Sequence, residues 1–201
     1  MQFDLSREEW QWLGLAALGL LVLAALVTDI RYRRIPNMLV LATLALGLLF
    51  HVFGPETGRH SAGLLSHYPS ALGFRGAALG ALAGLAAFLP LYAVGAMGAG
   101  DVKLMSGIGS FVGTVAILNI ALLVLLMGGA LALGRMVWKG NARRVLANVG
   151  AVLLPVLGGT GPGFDPQTQS ADRMPYVLAI AAGLLAYGAW IYQGFRPLIW
   201  F

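Results

Sequence analysis

From Leu104 to Val137 the chain runs for 34 residues with Arg135 as its one charged side chain. As a single helix rising about 1.5 Å per residue, this stretch would measure about 50 Å, well beyond the roughly 30 Å hydrocarbon core of a bilayer. A break is therefore required, and Gly113-Thr114 offers one. Shorter apolar runs cover Trp10 to Thr28, Met38 to Phe53, Ala77 to Met97 and Tyr176 to Ile191, each bounded by charged, polar or Gly/Pro-rich residues. With 59% apolar and 10% charged residues, against about 25% charge in an ordinary soluble domain, the solvent of this chain is mostly lipid. The expected architecture is all-α, a polytopic membrane helix bundle forming one domain. Its transmembrane segments, about six, fall at approximately 10–28, 38–53, 77–97, 102–113, 114–137 and 176–193. A soluble globular enzyme is excluded.

Lys and Arg in short loops are retained on the cytoplasmic side of a membrane. With Arg31-Tyr32-Arg33-Arg34 inside, that face also carries Lys103, Arg135, Lys139, Arg143, Arg144 and Arg173, while Arg7, Arg59, Arg75 and Arg196 fall outside; nine against four fixes the expected orientation. The head, with Asp4, Arg7, Glu8 and Glu9, is net acidic, so the N-terminus is expected outside and the first helix is read as a retained anchor, since a cleavable signal wants a basic start. An even number of crossings then brings the C-terminus outside as well. Trp10, Trp12, Trp138, Trp190 and Trp200 lie near the expected interfaces. The net charge of +5 is accounted for by orientation, and nucleic acid is not an expected partner.

Two stretches do not span: an outer loop at 54–74 and a cytoplasmic one at 139–175. Within the latter, 141–157 combines Arg143 and Arg144 with Val145, Leu146, Val149, Val152 and Leu153, the pattern of an interfacial helix, and a Gly-rich loop follows at 158–175. Gly76, Gly80 and Gly84 share one face of the third segment, and Gly109 and Gly113 repeat the spacing. Such a stripe lets another helix approach closely, either within the chain or across a homodimer.

Without cysteine there is no thiolate nucleophile and no thiolate-bound zinc, so chemistry must come from carboxylates, hydroxyls, histidine or lysine. Of eight acidic residues, Asp4, Glu8, Glu9, Glu56, Asp165 and Asp172 lie in the head or in loops, where solvated charge is ordinary. Asp29 and Asp101 instead sit at segment boundaries on the same expected face, where burying a charge is costly and function is the default reading. Two adjacent carboxylates can hydrolyse a peptide without metal, one ionised and taking a proton from water, the other protonated and supporting the carbonyl. The alternatives are that each caps a helix or pairs with a cation such as Arg33 or Lys103, that the two serve a small ion- or proton-coupled transporter, or that the chain is a non-catalytic assembly subunit. His51, His60 and His67 lack helical metal-ligand spacing, and no metal or cofactor is expected. Ser110 and Ser106 read as bonded to backbone carbonyls, and Tyr176 as an interface anchor.

The contexts of the two aspartates are Thr28-Asp29-Ile30-Arg31-Tyr32-Arg33-Arg34-Ile35-Pro36-Asn37 and Met97-Gly98-Ala99-Gly100-Asp101-Val102-Lys103. Gly98 and Gly100 permit backbone angles and close approaches that a side chain would forbid. Pro36 suits the first turn of the second helix, with Asn37 as its cap. Together these segments resemble the D-x5-I-P-N and G-x-G-D-x-K signatures of the type IV prepilin peptidases, and Met174-Pro175-Tyr176 is similar to the start of that family's final helix in its short branch. Presenilin-like proteases share G-x-G-D, but Thr28 stands where their first aspartate typically follows a tyrosine.

The resemblance implies an aspartic endopeptidase of the bacterial cytoplasmic membrane that removes the leader of prepilins and pseudopilins at the cytoplasmic face, with Asp29 and Asp101 as catalytic pair. Ile35, Pro36, Asn37, Gly98, Gly100 and Lys103 would support the motif or contact substrate, and the precursor helix and the bilayer would be the partners. The absence of cysteine, and of room for a domain before the first segment, resembles the short form serving Flp (tight-adherence) pili; methyl transfer is not implied.

Overall fold

Apolar side chains recurring every three or four residues decide which stripe of each helix turns inward. The computed structural model describes residues 6–55, 63–66, 69–93, 95, 97–139 and 176–199. In order these form α1 (Arg7–Tyr32), α2 (Asn37–Phe53), α3 (Gly73–Ala93), α4 (Ala99–Val112), α5 (Thr114–Lys139) and α6 (Val177–Tyr192). Among the described residues there is no strand, and Gly63 and Ser70 form an isolated bridge. α1, α3 and the Thr114–Gly134 part of α5 are long and apolar enough to cross a membrane, and α2 and α6 are shorter apolar helices. The interfacial helix expected at 141–157 and the loop at 158–175 lie outside the described residues.

α1 starts at a capping box, with the Ser6 N–H donating to Glu9 Oε2 at 2.9 Å and the Glu9 N–H to Ser6 Oγ at 3.3 Å. Its buried stripe is Trp10, Gly14, Leu18, Val22, Ala25 and Asp29, so the helical period that packs the helix also carries Asp29 inward. Leu13, Leu20, Leu23, Val27 and Ile30 remain exposed on the other side. Trp10 lies near an expected interface but does not face out. It is 2% exposed, stacked on Phe50 at 4.7 Å, because its place on the inward stripe overrides the interfacial preference of indole.

α4 is the central helix, packed on α1, α2, α3 and α5, with Val102, Leu104, Met105 and every residue from Gly107 to Val112 buried. At 14 residues it is about 21 Å long. Gly113, at φ 82°, ends it in a conformation that strains a side-chain-bearing residue, and α5 begins at Thr114, so the long apolar run divides where the sequence suggested. Gly80 and Gly84 of α3 lie against α4: a β-carbon on Gly80 would sit 2.8 Å from Gly113 Cα, and one on Gly84 2.9 Å from the Met105 carbonyl carbon. Gly80 and Gly84 of the stripe thus face a neighbour in the same chain, whereas a β-carbon on Gly76 would meet Leu72. α3 itself begins at Gly73, four residues before its apolar run, and ends at Ala93. Pro90 lies inside its last turn, where the missing N–H leaves the Ala86 carbonyl without its helical donor.

Two buried polar side chains tie elements together. Asn119 pairs with the backbone of Ile199, donating to its carbonyl and accepting from its N–H at 2.8 Å each. His51, fully buried, holds the end of α2 to two neighbours: Nε2 lies 2.6 Å from the Phe111 carbonyl, and Nδ1 accepts from the Leu72 N–H at 3.1 Å. This pairing defines the tautomer as Nε2–H and gives the Phe111 carbonyl, in the last turn of α4, the donor that a helix end lacks. His51→Phe fills the volume but strands both backbone groups, so it is expected to cost about 1–3 kcal/mol per group. A fall in the thermal midpoint of the detergent-purified protein checks this, and an unchanged midpoint refutes it. Ser110 Oγ donates to the Gly107 carbonyl at 2.6 Å, as its position in an apolar helix requires.

Candidate active site

The first carboxylate stands at the end of the α1 stripe. Asp29 is 9% exposed, and its Oδ2 accepts the Val177 N–H at 3.4 Å, so it supplies an acceptor to the first turn of α6, where the N-terminal N–H groups have no helical partner. The chain then turns sharply. Arg33 is left-handed at φ 51°, the one described residue other than glycine with positive φ, and its N–H closes on the Asp29 carbonyl at 2.8 Å. Its guanidinium also acts on the Asp29 carboxylate as a countercharge.

The second carboxylate stands in the first turn of α4. Gly98 is the N-cap and Asp101 the third helical residue, so the Asp101 side chain reaches back to accept the Gly98 N–H, one half of a capping box. Space for this is tight: a β-carbon on Gly98 would lie 3.1 Å from Asp101 Oδ2. The helix N-terminus favours negative charge here, as the α6 N-terminus does at Asp29. Capping is therefore real for both aspartates. It does not account for their proximity to each other: the Asp29 charge acts directly on Asp101 although 72 positions separate them.

The structure brings the flanking motif residues together as well. Gly100 faces Ile35, where a β-carbon would sit 3.3 Å from Ile35 Cβ, and Lys103 Nζ donates to Asn37 Oδ1 at 3.4 Å. The α1–α2 turn thus rests on the first turn of α4 through a side chain on a glycine and a hydrogen bond, which gives both signatures a mechanical reading. Two expectations need correction. Pro36 is the N-cap of α2 and not a residue of its first turn, its carbonyl accepting from Val40 at 3.3 Å, and Asn37 makes no cap. The reason is that the backbone at Pro36 is still extended, φ −61° and ψ 134°, so Asn37 is already the first helical residue and lies past the cap position. Lys103 turns to Asn37 and is not seen bonded to Asp101.

Tyr176 is the residue whose position the sequence obscured. It is half-buried at the N-cap of α6, packed against the core, with its ring on Gly128 of α5. Among the described residues no group of three or more His, Asp or Glu side chains is placed to hold a metal ion.

The site is thus an apolar helical bundle with two carboxylates at helix termini, in a chain with three helices long and apolar enough to cross a membrane. The family model for the type IV leader peptidase family matches residues 16–133, more than half of the chain and including both aspartates with their flanking motifs. The chain belongs to that family, which places it among the proteases. No curated protein and no solved structure matched it.

Proposed function

We propose that this protein is an endopeptidase that removes the leader of type IV (Flp-like) prepilins and pseudopilins at the cytoplasmic face of the bacterial inner membrane, with Asp29 and Asp101 as its acid–base pair. What supports the proposal is the placement of these two carboxylates, Asp29 where α1 ends, accepting from the head of α6, and Asp101 in the first turn of α4 within reach of the Asp29 charge, both inside the region matched by the leader peptidase family. Two close carboxylates hold one proton between them. The ionised one takes a proton from water as the oxygen adds to the scissile carbonyl carbon, and the protonated one gives its proton to the carbonyl oxygen. Collapse of the tetrahedral intermediate breaks the C–N bond as the pair gives its proton to the leaving amine and takes one from a hydroxyl of the intermediate, so that one shared proton is again left on the pair.

A helical peptide bond shields its carbonyl, so the precursor's apolar helix stays in the bilayer beside the bundle while its leader junction unwinds at the interface, where water needs no path through lipid. The basic loops of this chain offer no charge attraction for a basic leader, and recognition falls to apolar helix contact. The test is processing of a tagged Flp-type prepilin in inverted membrane vesicles containing this protein. Cleavage at the leader junction from the cytoplasmic side is expected, whereas an uncut precursor, or cutting from the opposite side, rejects the proposal.

Ile35 on Gly100 and Asn37 on Lys103 act in this scheme by fixing the α1–α2 turn against α4. Asn37→Ala and Lys103→Ala are each expected to slow cleavage by roughly twofold to fivefold, as for an exposed interaction worth about 0.5–1 kcal/mol. The double variant should be no slower than the worse single one, because both substitutions break the same contact. Additive losses in the rate assay would mean that the two residues act separately.

A further inference from the structure

The head of α6 has no cap of its own. Tyr176, at the N-cap, makes no side-chain cap bond, and the first turn holds no acidic residue, so the N–H groups that precede the first helical bond, from the Ile180 N–H to the Tyr176 carbonyl at 3.1 Å, need an acceptor from elsewhere. Asp29 supplies one, its Oδ2 accepting the N–H of the buried Val177 at 3.4 Å. That bond already exceeds the usual range of about 2.7–3.2 Å, so a shift of a few tenths of an ångström in the head of α6 is enough to break it. The orientation of the Asp29 carboxylate therefore depends on where α6 is held.

α5 holds it. Gly183 is buried where the two helices meet, and a β-carbon on it would sit 2.6 Å from Val124 Cγ2, 2.9 Å from the Val124 nitrogen and 3.1 Å from its Cα. The last two atoms are backbone, so no rotamer of Val124 makes room, and only a glycine lets α6 lie this close to α5. Gly183 stands six residues along α6 from Val177, about 9 Å, so its influence on the carboxylate passes through the helix. The charged groups acting on Asp29 are Arg33, beyond the end of α1, and Asp101, on α4, and neither belongs to α6. We propose that Gly183 is a positioning residue of Asp29: by letting α6 rest on the α5 backbone, it sets where the Val177 N–H meets the Asp29 carboxylate and so the direction in which that carboxylate faces substrate. The inference rests on the leader-peptidase reading and extends its site to a helix crossing with no polar side chain of its own.

The test compares kcat, KM, pH profile and thermal midpoint for prepilin cleavage by the detergent-purified parent, Gly183→Ala, Gly188→Ala and Asn119→Ala, with Asp29→Asn as the inactive control. Gly183→Ala is expected to lower kcat roughly tenfold, the scale of one hydrogen bond to a charged group, with KM nearly unchanged, because the buried crossing offers the precursor no surface. A carboxylate deprived of a donor holds its proton to higher pH, so the acid limb of the profile should move upward. Gly188→Ala, on the same helix, adds a β-carbon 3.9 Å from Leu65 Cδ2, an ordinary contact, and should keep the kcat of the parent. Asn119→Ala removes both bonds to Ile199, beyond the far end of α6 from Val177, and should lower the midpoint while leaving kcat and the profile unmoved.

A Gly183→Ala protein with the kcat and pH profile of the parent overturns the inference, as does a lowered thermal midpoint with an unmoved profile, the mark of a glycine that only packs. If Gly183→Ala yields no folded protein, Gly128→Ala makes the same comparison from the head of α6, where a β-carbon would sit 3.2 Å from the Tyr176 hydroxyl and 3.4 Å from Cε2 and Cζ. It is expected to lower kcat roughly twofold to fivefold, a partial loss of the same bond, with the same upward move of the acid limb, and an unmoved profile there overturns the inference. If the parent does not cleave, or Asp29→Asn does, the peptidase reading itself fails and takes the inference with it, an outcome separable from failure of Gly183 alone.

Discussion

Asp29→Asn and Asp101→Asn are each expected to reduce prepilin cleavage by about 10²–10⁴-fold, the contribution of a positioned general acid or base, while leaving the folded bundle at least as stable as the parent. The second half of the expectation separates catalysis from capping. An asparagine Oδ1 can still accept the Val177 N–H at position 29 or the Gly98 N–H at position 101, so the helix ends keep their acceptor. Each substitution also removes one of two like charges held close together. Alanine at either position should behave differently, losing activity and in addition about 0.5–2 kcal/mol of stability with the lost cap. Rates measured beside thermal midpoints for the four variants distinguish the readings. Stable, inactive asparagine variants support the catalytic pair, whereas active asparagine variants beside unstable alanine variants would leave the aspartates as caps.

The helices were legible because lipid is an exacting solvent. Backbone groups that cannot bond to water must bond within a helix, so apolar runs such as Met38 to Phe53 and Tyr176 to Ile191 could take few other forms. That the long run must divide was legible from its length, and the place of the division from Gly113. Helix ends were less so: α3 gains a turn at Gly73 from residues too polar to belong to its apolar run and ends shortly after Pro90. Both candidate catalytic aspartates stood out because charge is scarce in this chain, and scarcity makes each exception informative. What their neighbours do was not legible. Asn37 reads locally as a cap, and only the placement of α4 shows that its amide serves Lys103. Tyr176 carries the amphipathic signature of an interface residue, and Trp10 does too. In both cases a tertiary contact, Gly128 for one and Phe50 for the other, decides the direction of the ring. His51 looked like a stray histidine because its partners, Phe111 and Leu72, belong to other elements.

The largest effect on folding is expected far from any chemistry, where α3 crosses α4. A β-carbon on Gly109 would overlap the Gly80 carbonyl, lying 2.8 Å from its carbon, and one on Gly80 would likewise press on the Gly109 carbonyl. The obstruction is backbone on both sides, so no rotamer change relieves it and the helices themselves must part. Overpacking a core ordinarily costs about 1–3 kcal/mol and occasionally more. Gly80→Val and Gly109→Val should lie at or above the top of that range, visible as loss of folded protein after detergent extraction. Gly19→Ala and Gly129→Ala are the controls, since nothing lies within 4 Å of either added β-carbon. Both are expected to be neutral or stabilising by up to about 1 kcal/mol, because alanine is the better helix former. Gly109 lies eight residues from Asp101 on the same short helix, about 12 Å along its axis, so displacing α4 at the crossing also displaces the carboxylate at its head. The milder Gly109→Ala should therefore lose cleavage more steeply than stability. Activity that survives while the thermal midpoint falls would show that the head of α4 is held by Ile35, Asn37 and Lys103 independently of the crossing.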